Sequence, residues 1–115
     1  MTFKTVTQQR DEHRIFAGND PAYTTTGASG ITTATSALTP LMLDAATGKL
    51  VAWDGLKAGE AVGVLTLPLE GTEPQLTYWK SGTFATEALL WPENIDAAKK
   101  ANAFSGSAIS HAALP

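Results

Sequence analysis

The chain has 115 residues, no cysteine, and 8 basic against 11 acidic side chains, for a net charge of -3. Disulfide frameworks and thiolate metal sites are excluded, and weak acidity gives no electrostatic reason to expect nucleic acid, which calls for a basic stripe. The length suits one domain, no apolar run approaches the ~20 residues that span a bilayer, and no apolar leader opens the chain, so a soluble intracellular protein is expected.

Residues 1–16 read as a polar arm. Phe3 and Phe16 bracket Lys4, Arg10, Asp11, Glu12, His13 and Arg14, with no glycine or proline between them. Residues 1–14 hold three basic and two acidic side chains, a local +1 that leaves -4 for the remainder. Phe3, Thr5, Val6 and Thr7 favour extended structure. Residues 7–14 also suit a short polar helix, but without an apolar stripe such a helix has nothing to dock. A frayed terminus is the plain alternative.

Residues 17–40 form a second zone. "NDP" (19–21) signals a turn, since Asn and Asp bond their own backbone and proline fixes φ. Residues 24–39 then hold seven threonines, two serines and two glycines. No helix pattern survives there; threonine permits strands, and Gly27 and Gly30 punctuate them. A loop of this length in a small domain is expected to be functional or to pack on a partner.

The remaining residues, 41–115, read as the body of a domain spanning 17–115. "PLML" (40–43) and "KLVAW" (49–53) flank a turn in which Gly48 supplies a positive φ, predicting a hairpin. "WDG" (53–55) turns the chain. "AVGVLTLPL" (61–69) is the most strand-like segment; both of its alternating sets are largely apolar, so both faces should be covered. "QLTYW" (75–79) predicts another strand, ended by a turn at Lys80–Gly82. A helix is expected over 83–91, with Thr83 as cap and Glu87 near the first turn, broken at Trp91–Pro92. A second helix is expected over 93–104, capped by Asn94 or Asp96, with Ile95, Ala98 and Ala101 on one face. Gly106 stops it, and residues 107–110 return as a short strand. The fold class is therefore mixed α/β, β-rich, with one or two short helices and an extended N-terminal arm.

Chemistry is harder to find. His13 and His111 sit near the ends of the chain, and neither accompanies a nucleophile-elbow pattern. Asp44 and Asp54 stand where turns need aspartate, and Glu87, Glu93 and Asp96 where helix starts favour acids. No histidine pair or EF-hand spacing marks a metal, and "TTTGASGITT" lacks the lysine of a phosphate loop. Trp53, Tyr78, Trp79 and Trp91 suit a core or a subunit interface, with a sugar-stacking platform as the competing use. No cofactor and no enzymatic activity are expected; a structural or binding protein is, with a carbohydrate-type β module using surface tryptophans as the alternative.

Five strings, "NDPAYTTTG", "LTPLMLDAATGKLVAWDG", "AVGVL", "YWKSGTFATEALLWPE" and "KKANAFSGSAISHAALP", occur in this order and cover most of the chain. Together they resemble the head decoration proteins of lambdoid phages. The resemblance implies a compact β-clip-like fold and a non-enzymatic cementing role. It implies a homotrimer that adds to three-fold positions of the phage head once the shell has expanded, and that holds the shell against the pressure of packaged DNA. The implied partners are a second and third copy and the major capsid protein, with no nucleic acid and no membrane. The implied place is the outer surface of the virion, after synthesis in the host cytoplasm. It also implies an arm that orders on the shell, assigning capsid binding to Thr2, Phe3, Lys4, Thr5, Val6, Thr7, Gln8, Gln9, Arg10 and Arg14. For trimer or shell contact within the body, the threonine-rich loop and the tryptophan turns are the candidates: Thr26, Ile31, Trp53, Asp54, Gly55, Trp91 and Pro92.

Overall fold

The computed structural model describes residues 14–114, which make a compact β-rich domain of seven strands and one short helix. The strands are β1 (Thr24–Ala28), β2 (Pro40–Leu43), β3 (Leu50–Ala52), β4 (Gly63–Leu65), β5 (Gln75–Trp79), β6 (Ser81–Ala85) and β7 (Ala108–Ala112); the helix α1 is Ala97–Ala101. Five strands form one sheet in the order β1-β5-β4-β2-β3, all neighbours antiparallel.

The hairpin β2–β3 forms as its pattern predicts. Gly48 has φ +74°, and Asp44 organises the turn by accepting from the Ala46 N–H at 3.3 Å and the Thr47 hydroxyl at 2.9 Å. Just past β1, Ser29 bridges to Leu50 of β3, and the Gly30 N–H donates to the Leu50 carbonyl at 2.8 Å. The two outer strands of the sheet are thereby tied together, and the sheet curls into a barrel. Closing a sheet removes exposed edge that would otherwise invite pairing.

Alternation along the strands then makes two cores. Leu41, Leu50, Leu65 and Leu76 point into the curl, where Ile31 and Leu69 join them. Val64, with the margins Met42 and Trp79, points the other way, into a core of Trp53, Ala61, Phe84, Leu89, Ala103, Phe104 and Ile109. All three residues of β4 are buried, which accounts for a segment apolar at every position. Gly63 is required by packing: a Cβ there would lie 2.3 Å from the Tyr78 ring.

A second, smaller sheet covers the outer core. β6 follows β5 after Lys80 alone, so the expected turn at 80–82 is a one-residue break, and β7 pairs with β6 in parallel, Ser81 opposite Ala108 through Ala85 opposite Ala112. The helix expected over 83–91 is not there. Thr83, Phe84 and Ala85 belong to β6, and only a 3-10 turn, Thr86–Ala88, follows. Local helix preference is overridden because both edges of this segment find partners: β7 on one side and residues 15–17 on the other. The helix expected over 93–104 shrinks to α1. Asn94 adopts φ +59° and Asp96 is extended, so no helical turn can start before Ala97. Asp96 is the cap, accepting from the Ala98 N–H at 3.0 Å, and Lys99 and Lys100 lie in the last turn as the dipole favours.

Candidate functional site

Among the expected arm residues, Thr2, Phe3, Lys4, Thr5, Val6, Thr7, Gln8, Gln9 and Arg10 lie outside the described residues. Arg14 is exposed, and immediately after it the chain is fixed. The Ile15 carbonyl accepts from the Ala85 N–H at 2.6 Å, and the Ala17 N–H donates to the Thr83 carbonyl at 3.0 Å. Phe16 packs against Phe84, 4.9 Å between ring centroids, and edge-on against Trp79, 5.7 Å, two rings already 5.3 Å from each other. The hold continues downstream: Ser81 Oγ accepts from the Tyr23 N–H at 2.9 Å and donates to the Pro21 carbonyl at 3.1 Å. Residues 15–17 are thereby fixed to the small sheet.

The body candidates divide into two places. Trp53, Asp54, Gly55, Trp91 and Pro92 meet. Trp53 and Trp91 pack edge to face with centroids 6.3 Å apart, and Gly55, at φ +76°, lies so close to Pro92 that a Cβ would stand 3.2 Å from its ring. Asp54 accepts from the Leu56 N–H at 3.0 Å, fixing the turn, and leaves Leu56 67% exposed at its tip. Thr26 and Ile31 lie elsewhere, on the barrel. Thr26 is exposed opposite Thr77, beside a shallow groove of about 360 Å³ also lined by Leu67, Glu73 and Gln75.

Burial separates these residues further. Trp53 is 3% exposed and Ile31 8%, so both side chains belong to this chain's own cores and only their neighbours offer surface. A stacking platform needs open indole faces. Trp53 is buried and donates its Nε1–H to the Lys57 carbonyl at 3.2 Å. Trp91 donates to the Thr86 carbonyl at 3.0 Å and is hemmed by Trp53, Phe104 and His111, with Lys100 Nζ 5.4 Å above its ring. The indoles are used to build the domain.

His111, one of the two histidines, is also fully engaged. Its Nε2 lies 2.9 Å from the Lys100 carbonyl, which can only accept, so the proton sits on Nε2. Nδ1 lies 2.7 Å from the Thr86 hydroxyl. Ser110, its neighbour in sequence, bonds Thr83 across the sheet at 2.8 Å instead. The pair does not form a nucleophile and base. Among the described residues no group of histidine, aspartate and glutamate is placed to hold a metal ion, and no helix is long and apolar enough to cross a membrane.

A further structured turn lies at Glu73. The Glu73 carboxylate accepts from three successive backbone N–H groups, those of Glu70, Gly71 and Thr72, at 2.9, 3.0 and 3.1 Å. Those bonds, Glu70's foremost, hold its carboxyl below the ordinary glutamate value of 4.5. The signal was the "EGTE" turn (70–73), in which a glycine and an acid stand where a tight loop must satisfy its own donors.

The model of the family "Bacteriophage lambda head decoration protein D" matches residues 5–112. A head decoration protein of Enterobacteria phage P21 is 74% identical over 115 residues, covering all of both chains. A protein of Escherichia phage N15 described as a decoration protein is 47% identical over 100 residues, 85% of this chain and 91% of the relative.

Proposed function

The chain belongs to the family of the bacteriophage lambda head decoration protein, and from that membership we propose that it attaches to the expanded phage head as a homotrimer and cements the shell against the pressure of packaged DNA. The observation that carries this reading is the full-length identity of 74% to a phage head decoration protein. In this reading the protein occupies three-fold positions on the outer surface of the virion after synthesis in the host cytoplasm. Its partners are its own copies and the major capsid protein, without nucleic acid or membrane.

Physical chemistry supports a division of labour. The segment from Thr2 to Arg10, with Arg14, pairs with an extended segment of the shell, where backbone groups give affinity. Ordering a strand costs roughly 1–2 kcal/mol per residue, so each single arm contact is weak. Three arms rooted in one rigid trimer raise the effective concentration of the second and third contacts, and the sum is firm. The root at Ile15–Ala17 serves this purpose, because a fixed exit keeps each arm near its target. The turn at Asp54–Gly55 beside Pro92, and Thr26 on the barrel, supply body surface for contact with the shell or with neighbouring copies. Binding to one shell state alone stabilises that state by linkage.

Co-sedimentation with purified heads tests the proposal, using expanded and unexpanded shells and protein with and without residues 2–14. Saturable binding to expanded heads, lost on truncation, is expected. Binding that survives truncation moves the contact to the body, and no binding to either shell refutes the cementing role. Sedimentation equilibrium of the free and shell-eluted protein separately tests the trimer.

A further inference from the structure

The loop holding Glu73 bears directly on the threonine-rich segment. Residues 29–39 run as a strap bonded to Leu50, Leu65, Leu69 and Pro74, with Ile31 buried in the barrel core. Three of its fastenings lie on residues 69–74. The Ser29 N–H donates to the Pro74 carbonyl at 3.0 Å. Thr35 and Leu69 exchange both backbone bonds, at 3.0 and 2.8 Å. Between these two, Gly71 lies against the strap's own backbone: a Cβ there would be 2.8 Å from the Thr32 carbonyl carbon and oxygen and from the Thr33 nitrogen. Gly71 has φ +110°, a conformation only glycine adopts freely, so the close approach depends on the loop holding that shape. The shape depends on Glu73, whose single carboxylate gathers three N–H groups around the turn.

We propose that Glu73 is the keystone of an acid-released latch that holds the threonine-rich strap against the barrel. Above the ordinary carboxylate range the carboxylate is charged, all three bonds are charge-assisted, and the strap is fastened. Protonation weakens acceptance, the turn relaxes, and Gly71 no longer seats against Thr32 and Thr33. Because the carboxyl is held low in the folded protein, the hold is complete above the unfolded value and is lost as pH falls through the lower, folded one. Few other charges face the loop. Residues 24–43, which include the strap, β1 and β2, contain no titratable side chain, and neither do Leu67, Pro68, Gln75, Leu76 and Thr77 around it. Glu70 is the other ionisable group on the loop. The latch is independent of the attachment reading and concerns this chain's own structure.

Amide hydrogen exchange by NMR on the full-length protein, corrected for intrinsic rates, tests it between about pH 7 and about pH 3. The Thr35 amide should lose protection on acidification in step with shifts of the Gly71 and Thr72 amides, while the Trp53 amide, bonded to Pro40 in the body, keeps its protection. In E73Q, Thr35 exchange should already be faster at neutral pH, on the order of tenfold, and no longer respond to acid. E70Q should behave as wild type. The Trp53 amide also reports that each variant is folded. Thr35 exchange unchanged in E73Q, or an acid response that survives in E73Q or disappears in E70Q, overturns the proposal.

Discussion

The two cores of this domain are made differently. The barrel core is aliphatic but for Tyr78, and its residues, from Ile31 to Tyr78, come from one stretch of chain. The outer core is aromatic: Trp53, Phe84 and Phe104 inside, with Phe16, Trp79 and Trp91 at its margins. It gathers residues from Ile15 to Ile109, nearly the whole described chain. A core of neighbouring strands closes short loops, whereas one that joins distant segments must bear more closure entropy before its contacts repay it. Aromatic rings suit the second task, because each covers a large area and locks edge to face against its neighbours.

The largest effect should come from the joint of the distant segments. Phe84 is fully buried and touches both Phe16 and Trp79. Phe84→Ala should lower stability by about 3–5 kcal/mol in denaturant unfolding and expose the root of the arm to proteolysis near Arg14. A loss under ~1 kcal/mol would show that the outer core is not cooperative with the barrel. The barrel is best probed by adding volume. Gly63→Ala places a methyl on the Tyr78 ring and should cost about 1–3 kcal/mol, without loosening the segment at 15–17. If that segment loosens as well, the two cores are one unit. Smallest is Asp96→Ala, which removes the cap of α1 and should cost about 1 kcal/mol, read as a small downward shift in melting temperature.

The same contrast explains what was legible in the sequence. The hairpin β2–β3, the doubly covered β4 and the strand β5 were all visible, because alternation and a turn glycine are local signals. A returning strand was visible as well, expected at 107–110 and found at Ala108–Ala112, though not that it pairs in parallel. Residues 83–91 misled, because "TFATEALL" is helical by composition, and its first three residues join β6 only through partners 25 or more residues away in the chain. The helix over 93–104 was overextended for a smaller reason: two non-helical backbones, at Asn94 and Asp96, delay its start. In the candidate site, the meeting of the turn at Asp54–Gly55 with Pro92 follows from no local pattern. Trp53 and Trp91 carried equal weight as letters; only packing distinguishes the buried ring from the half-buried one. The Glu73 loop was missed because three donors converging on one acid is a property of a folded turn.

Residues 15–17 run antiparallel to β6 and β7 runs parallel to it, with Ile15 and Ala112 both beside Ala85. Both flanking strands therefore leave the small sheet at the same end of β6, about 10 Å apart, two strand spacings. A tension entering at Ile15 and directed along the strand does not open the pairing one bond after another. It slides the segment against β6, so the bonds at Ala85 and Thr83 are strained together, while the Phe16 ring must slide over Phe84 and Trp79, against which it packs. Peeled sideways, the same segment would yield bond by bond. The hold on residues 15–17 therefore depends on the direction of the pull.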